Sequence, residues 1–162
     1  MYTLRFLVRQ KYFNRVFQKY FINLIEIVSL FLKVKEKTHK MIPSIPGMKA
    51  PNFASVCMRS DGSHSDISLD DLLSNNQWLV LFFYPMDFGY ISTSELLELS
   101  NVKEQLDELN CNVIACSTDS AVIHDKILTV PAHLGGVKGI EYPLLEDVNG
   151  QIAEKYGVLK QA

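Results

Sequence analysis

The sequence predicts an α/β fold, because short apolar runs typical of buried strands alternate with segments of helical periodicity. The runs WLVLFFY, residues 78–84, and VIACS, residues 113–117, are the clearest strand candidates. Between them, apolar side chains recur at helical spacing, at Leu96, Leu99, Val102, Leu106 and Leu109. This alternation predicts a largely parallel or mixed sheet covered by helices.

Charge and a stretch rich in proline, IPSIPGMKAPNF, divide the chain into three parts. Residues 1–40 carry nine basic and two acidic side chains, a net charge of +7, whereas the remaining residues carry seven basic and sixteen acidic side chains, a net charge of −9. We therefore predict a basic amphipathic leader over residues 1–40, a linker over residues 41–49 and one domain over residues 50–162. The acidic domain argues against nucleic acid as a ligand.

The leader has a stripe of apolar side chains at helical spacing from Phe6 to Leu24. It fits an organelle transit peptide, a helix lying on a membrane surface, or an upstream extension with Met41 or Met48 as the true start. Residues 21–32 are too short for a transmembrane helix, and Glu26 interrupts them. We expect a cytoplasmic protein, or a mitochondrial one if the leader is a transit peptide.

The predicted elements of the domain follow in order. A strand or hairpin around Phe53–Met58 precedes a turn at SDGSHSD and a short helix or turn at SLDDLLSNN. A central strand at residues 78–84 precedes a helix from Ser92 that Asn110 closes, and then the strand 113–117. The remaining elements are a helix at residues 120–128, a loop at PAHLGGVKG, a strand at YPLL and a helix in NGQIAEKYG.

The stretch YPMDFGYISTSE, residues 84–95, leads from the predicted central strand into a helix. A helix start offers free backbone N–H groups that favour negative charge. Ser92 and Glu95 form the S-x-x-E pattern of a capping box, which predicts that Ser92 caps the helix and stabilises it by about 1 kcal/mol. A serine nucleophile needs an adjacent base, and the sequence suggests no His-Asp pair near Ser92.

The cysteines and histidines show no metal-ligand or disulfide spacing. We therefore predict no metal and no cofactor. Cys111 and Cys116 lie at or within an apolar strand and are expected to be inert packing residues, whereas Cys57 is expected to be exposed. His124 is expected to pack or to form a hydrogen bond rather than to bind a ligand.

From about Ala50 to Lys160 the sequence resembles the peroxiredoxins, the thioredoxin-fold family that includes alkyl hydroperoxide reductase and thiol-specific antioxidant. The matching stretches are APNF, ISLDDL, LVLFFYPMDF, LNCNVIACSTDS, the GG of HLGGVKG, YPLLED and IAEKYGVL. The residues of these stretches are most similar to those of the typical two-cysteine branch. The resemblance implies a thioredoxin-like fold and a dimeric or higher-order peroxidase that reduces hydroperoxides with electrons from thioredoxin and without a metal.

The resemblance also implies what an active site of this family requires. A cysteine in the first helical turn is held as a thiolate by the helix start and a neighbouring arginine, because the thiolate attacks the peroxide oxygen. A threonine hydroxyl orients the peroxide, and a proline shields the sulfur. The sulfenic acid that forms is then resolved as a disulfide by a second cysteine near the C-terminus.

The family motif P-x-x-x-T-x-x-C falls on residues 85–92 of this chain. Pro85 is retained, but Gly89 occupies the threonine position and Ser92 the cysteine position. The arginine of the pattern D-x-x-R-x-I-A falls on Gly150, and no arginine follows Arg59. Three of the four catalytic residue types are therefore absent from the matching positions, which predicts a degenerate active site.

The resemblance implies further strands, a last helix and a resolving cysteine after the YGVL motif, so the domain is expected to be C-terminally truncated. The sequence leaves open a fragment, an imperfect gene model or a subunit completed by a partner. The leading hypothesis is an inactive pseudo-peroxidase that pairs as a homodimer, or as a heterodimer with intact peroxiredoxins. The alternatives are an active thiol peroxidase that uses another cysteine and thioredoxin, and an organelle-targeted or membrane-surface interaction protein.

Overall fold

A computed structural model describes residues 49–73 and 77–159 of the chain. The predicted leader, residues 1–40, and all of the linker except Lys49 lie outside the described residues. The described part has five strands, β1 (Ala54–Met58), β2 (His64–Ser68), β3 (Trp78–Phe83), β4 (Cys111–Ser117) and β5 (Leu144–Glu146). Its α-helices are α1 (Leu69–Leu73), α2 (Tyr90–Asn101), α3 (Lys103–Glu108), α4 (Ala121–Thr129) and α5 (Gln151–Lys155).

The strands form one mixed sheet in the order β2-β1-β5-β4-β3. β3, β4 and β5 are parallel, and β1 is antiparallel to both β2 and β5. The predicted α/β fold with a mixed sheet is confirmed. The prediction that residues 78–84 form a central strand is wrong for the described residues, because β3 pairs there with β4 alone and lies at the end of the sheet.

Two buried clusters cover the two faces of the sheet. On one face, Val80 and Phe82 of β3 pack with Leu96 of α2, Leu106 of α3 and Ile127 of α4. On the other face, Leu81 and Phe83 pack with side chains of α1 and α5, including Leu69, Ile152 and Ala153. β3 is therefore apolar on both sides because helices cover both of its faces.

The helix that was expected to run from Ser92 to Asn110 is two helices. α2 ends at Asn101, α3 begins at Lys103, and Val102 between them has φ −102° and ψ 4°. Leu109, expected on the buried face, is 44% exposed because α3 ends at Glu108. Asn110 closes this region with a left-handed φ of 55°, a conformation that asparagine tolerates better than most residues.

A capping box occurs at α1 rather than at α2. Ser68 Oγ accepts from the backbone N–H of Asp71, and Asp71 Oδ2 accepts from the backbone N–H of Ser68 at 3.0 Å. The Ser68 hydroxyl also donates to the same carboxylate oxygen at 2.5 Å. These reciprocal bonds satisfy free N–H groups at the start of the helix, so the chain turns directly from β2 into α1.

Candidate functional site

The candidate site lies where β3 ends and α2 begins. Tyr84 and Pro85 follow the strand, and Gly89 occupies the N-cap position of α2 with φ −71° and ψ 128°. Phe88 has a φ of 57°, which is uncommon for a residue with a side chain and turns the loop sharply. The structure thus places Pro85, Gly89 and Ser92, three of the four predicted site residues, in one loop and helix start.

Ser92 lies inside the first turn of α2 and is 3% exposed. The prediction that Ser92 caps the helix is wrong, because α2 begins at Tyr90 and Ser92 is already its third residue. Ser92 is adjacent to Gly89, since a Cβ atom placed on Gly89 would lie 3.1 Å from Ser92 Oγ. A hydroxyl at position 92 therefore occupies an enclosed space beside the loop.

Gly150, the fourth predicted site residue, lies in a separate turn after β5. Its φ of 66° is left-handed, and a Cβ atom there would lie 3.1 Å from Leu159 Cδ2. The carboxylate of Asp147 caps α5 by accepting from the backbone N–H groups of Ile152 and Ala153. β4 separates β5 from β3, which places this turn about two strand spacings, roughly 10 Å, from the α2 loop.

Arg59 is the one arginine within the described ranges 49–73 and 77–159. Its guanidinium donates to Ser65 Oγ on β2 at 3.0 Å, which holds it beside the β1–β2 pair. β5 and β4 lie between β1 and β3, a separation of three strand spacings, roughly 14 Å. In the described part of the chain, no guanidinium lies at the start of α2.

A buried network that the sequence analysis missed lies directly behind the loop. Asp87 Oδ1 accepts from the Tyr84 hydroxyl at 2.7 Å, and Asp87 Oδ2 lies 2.7 Å from His124 Nδ1. His124 is completely buried on α4, and Asp87 is 6% exposed. The backbone N–H of Asp87 donates to Asp119 at 2.6 Å. The sequence suggested no His-Asp pair here, and the structure forms one with Asp87 of this loop.

The second ring nitrogen of His124 decides what this pair can do. His124 Nε2 lies 3.3 Å from the backbone carbonyl oxygen of Leu145 on β5. In a serine triad, that nitrogen faces the serine hydroxyl and takes its proton. Because the Leu145 carbonyl occupies this direction, the pair cannot act as a general base toward Ser92, and it holds β3, α4 and β5 together instead.

Both neighbours of the His124 ring are hydrogen-bond acceptors, a carboxylate and a carbonyl. A neutral imidazole has one N–H, so it can satisfy only one of them. Nδ1 makes the shorter contact, 2.7 Å to Asp87 Oδ2 against 3.3 Å from Nε2 to the carbonyl, so the bond to Asp87 is the stronger of the two. A histidine on the apolar side of a helix beside Ile127 and Leu128, and an aspartate just after a strand, were the sequence signals for this pair.

The three cysteines are free thiols and all are buried. Cys57 is 0% exposed, so the expectation that it is exposed is wrong; it lies in β1 opposite Leu145. Cys111 pairs with Trp78 at the start of β3, the end of the strand opposite to the α2 loop. Cys116 pairs with Phe83 and packs on the α5 side of the sheet, whereas α2 covers the other side.

Burial keeps two of these thiols protonated. It raises the pKa of Cys111 to about 11, and it raises the pKa of Cys116 well above the ordinary thiol value, with the nearby Asp147 adding to the shift. The thiolate is the reactive form of cysteine, so both thiols are poor nucleophiles near neutral pH. The expectation that Cys111 and Cys116 are buried is confirmed.

An apolar patch, Met86, Phe88, Tyr90 and Ile91, surrounds the start of α2. These side chains are 57%, 49%, 93% and 70% exposed. A cleft of about 390 Å³ opens beside them, between α2 and a 3₁₀ turn at Ala132–Leu134. The Thr93 hydroxyl donates to the Gly135 carbonyl at 3.2 Å and joins the two walls of the cleft.

Within residues 49–73 and 77–159, no three His, Cys, Asp or Glu side chains are placed to hold a metal ion. None of the helices in those ranges has both the length and the apolar character needed to cross a membrane.

The chain has a thioredoxin-like α/β fold. Helices cover both faces of its mixed sheet, and α2 begins directly after the apolar strand β3. Residues 46–162 match the model of the AhpC/TSA family. The chain belongs to this family, the peroxiredoxins, as the sequence analysis predicted.

Three relatives show the extent of the likeness. The chain is 37% identical over 122 residues to peroxiredoxin prdx-2 of Caenorhabditis elegans, covering 75% of this chain and 59% of that protein. It is 35% identical over 116 residues to a thioredoxin peroxidase of Echinococcus granulosus, covering 72% and 58%. A reduced 2-Cys peroxiredoxin from Plasmodium vivax superimposes with a TM-score of 0.69 at 29% identity, covering 74% and 61%. The chain thus spans about three fifths of the length of these relatives.

Proposed function

We propose that this peroxiredoxin-family chain is a catalytically inactive pseudo-peroxidase that pairs with peroxiredoxin subunits, either its own copies or intact relatives. The observation that carries the proposal is the serine at position 92, in the first turn of α2. A serine hydroxyl is a much weaker nucleophile than a thiolate and needs an adjacent base. The ring of His124 is turned toward the Leu145 carbonyl and does not serve as that base.

The cysteines give the proposal its second support. Each is buried, and Cys116, the one beside the carboxyl end of β3, packs on the side of the sheet opposite to α2. Reaching the loop from there would require the sheet to open. Burial also raises the pKa of the Cys116 thiol, which therefore remains protonated. A protonated thiol would attack a peroxide slowly even if the peroxide could reach it.

The peroxidase test uses the full chain with thioredoxin, thioredoxin reductase and NADPH. We expect hydrogen peroxide and an organic hydroperoxide to be consumed no faster than in the absence of the protein, while an active thioredoxin peroxidase in parallel shows turnover. Variants with alanine at Cys57, Cys111 or Cys116 serve to trace any activity. Turnover that one of these variants abolishes would show an active thiol peroxidase and overturn the proposal.

The apolar patch around the start of α2 supports the pairing role. Four large apolar side chains within six residues are about half to almost fully exposed there. Contiguous exposed apolar side chains are typical of surfaces that bind another protein, whereas single ones are common everywhere. Tyr90, 93% exposed, is the kind of aromatic residue that dominates the energy of interfaces.

The pairing test measures molar mass by light scattering, for the chain alone and for the chain mixed with an intact peroxiredoxin. We expect a dimer or a mixed complex, and we expect Tyr90→Ser with Ile91→Ser to weaken it at least tenfold. Val122→Ser is the matched control, since Val122 is 69% exposed on α4 and lies outside the patch. A monomer in both samples, or equal loss in the control, would contradict pairing through this surface.

A further inference from the structure

We propose that Met86 is a site of reversible oxidation by hydroperoxides, and that its sulfoxide weakens pairing through the apolar patch around the start of α2. This regulation rests on the pairing role proposed above, because it acts on the same surface. Three observations carry it: the exposure of Met86, the anchoring of the loop that holds it, and its position within the patch.

Met86 differs in exposure from the other sulfur-containing residues that the structure describes. Within residues 49–73 and 77–159 these residues are Cys57, Met58, Met86, Cys111 and Cys116. Met86 is 57% exposed, whereas the other four are at most 8% exposed. Oxidation of methionine requires that the oxidant reach the thioether, which has no proton to lose. In this part of the chain, a peroxide in solution therefore meets the sulfur of Met86 first.

The loop between β3 and α2 keeps the side chain of Met86 outside the core. Pro85 precedes it, and the proline ring fixes φ at that position. Asp87 follows it and turns inward: its backbone N–H donates to Asp119 at 2.6 Å, and its Oδ2 atom lies 2.7 Å from His124 Nδ1. Withdrawing Met86 from solvent would require these buried hydrogen bonds to break, which is costly. Its exposure is thus a property of the folded loop.

Met86 lies against the start of α2 and belongs to the apolar patch. A Cβ atom placed on Gly89, the N-cap residue, would lie 3.6 Å from Met86 Cγ. Tyr90 and Ile91, the next two residues, are the most exposed members of the patch, at 93% and 70%. The thioether therefore adjoins the side chains that we propose a partner covers.

The chemical step is the transfer of one oxygen atom from a hydroperoxide. The thioether sulfur attacks the distal peroxide oxygen, an S–O bond forms and the O–O bond breaks. The sulfur loses two electrons to the peroxide, and the leaving oxygen takes the proton of the transferred OH and departs as water or an alcohol. The product, methionine sulfoxide, is polar, and methionine sulfoxide reductases return it to the thioether with electrons from a dithiol.

The polarity of the sulfoxide connects this step to pairing. An apolar methionine gains free energy when a partner covers it, whereas a polar group is costly to bury without a hydrogen-bond partner. A partner that covers the patch also shields the sulfur, so oxidation takes place in the free subunit. Peroxide therefore lowers the amount of subunit that is able to pair, and the reductase raises it again.

The test uses the full chain, treated with excess hydrogen peroxide and then with catalase before pairing is measured. Peptide mapping by mass spectrometry follows sulfoxide formation at each methionine. Analytical ultracentrifugation gives the Kd of pairing of the chain with itself and with an intact peroxiredoxin. We expect Met86 to be oxidised at least tenfold faster than the buried Met58, and the Kd of the oxidised chain to rise at least fivefold. Methionine sulfoxide reductase is expected to restore the original Kd.

Two variants of Met86 separate oxidation from loss of the side chain. Met86→Leu keeps an apolar surface without an oxidisable sulfur, so we expect normal pairing that peroxide does not change. Met86→Gln introduces polarity without oxidation, so we expect the Kd to rise at least fivefold before any peroxide is added. Met58→Leu is the matched control at a buried methionine and is expected to keep the full response to peroxide.

The outcomes distinguish this regulation from the pairing itself. A Kd that oxidation does not change, oxidation of Met86 no faster than that of Met58, or a response to peroxide that persists in Met86→Leu would overturn the regulation and leave the pairing intact. A chain that is monomeric before peroxide treatment, both alone and with an intact peroxiredoxin, would refute the pairing and the regulation together.

Discussion

At the scale of single residues, the His124–Asp87 pair is the feature that sequence reasoning failed to find. The two residues are 37 positions apart, and neither belongs to a motif with a fixed spacing. The pair forms because α4 packs over the ends of β3 and β5, a tertiary arrangement that the sequence pattern does not specify. The loop residues Pro85, Gly89 and Ser92 were predictable as neighbours because they are close in sequence and follow one strand.

The same pair gives a prediction for stability. Replacing His124 by leucine removes the hydrogen-bond partner of Asp87 Oδ2 and leaves that oxygen buried. We expect the free energy of unfolding to fall by about 1–3 kcal/mol, because a buried polar atom without a hydrogen-bond partner is costly. Urea unfolding followed by circular dichroism measures the change. His133→Leu, an exposed position on the 3₁₀ turn, is the control. A loss at position 124 no larger than that of His133→Leu would contradict a stabilising role of this hydrogen bond.

At the scale of secondary-structure elements, two serines show why one sequence signal succeeded and failed in the same chain. Ser68 is followed by an aspartate three residues later and forms reciprocal bonds with it at the start of α1. Ser92 is followed by Glu95 at the same spacing, but α2 already begins at Tyr90. The pattern identifies a helix start only if no earlier residue begins the helix, and packing of the preceding loop decides that. Helix and strand types were predictable, whereas this boundary was not.

The turn between α4 and β5 gives a second prediction. A Cβ atom on Gly136 would overlap the backbone carbonyl of Val130, which cannot move away because it accepts from the N–H of Lys138. We expect Gly136→Ala to lower the free energy of unfolding by about 1–3 kcal/mol, the usual cost of overpacking. Thermal unfolding measures it, with Ala132→Ser, an exposed change in the same turn, as the control. Equal melting temperatures for the two variants would contradict the close approach.

At the scale of the whole molecule, the order of the strands could not be predicted from the sequence. Alternating strands and helices indicate a sheet, but they do not specify which strand lies at its end. The apolar character of residues 78–83 favoured a central position, and β3 is indeed covered on both faces. Its position at the end of the described sheet follows from long-range pairing of β1 with β5 and of β5 with β4.

Buried thiol and phenol groups make the stability of the protein depend on pH in the alkaline range. Burial raises the pKa of Cys111 from 9.0 to about 11 and that of Tyr156 from 10.0 to about 12. Between pH 9 and pH 12 the folded state therefore holds protons that the unfolded state has lost. Their contribution to stability is complete below pH 9 and is lost as the pH rises through this window. We expect the free energy of unfolding to fall steadily from pH 9 to pH 11.

Urea unfolding at pH 8, 9.5 and 11 measures this dependence. Cys111→Ala removes one of the groups with a raised pKa, so its stability is expected to fall less steeply between pH 9 and pH 11 than that of the unaltered chain. The tyrosine contribution remains in that variant and begins above pH 10. A profile that stays flat from pH 8 to pH 11 in the unaltered chain would contradict the role of these buried groups.

The burial of all three thiols has a consequence for how the molecule behaves during oxidative stress. Oxidation of cysteine requires an accessible thiolate, and each of these sulfurs is enclosed in the folded core. A burst of peroxide that changes the oxidation state of active relatives would then leave the three thiols of this subunit reduced. In a mixed assembly its cysteines would remain in one oxidation state before, during and after the burst.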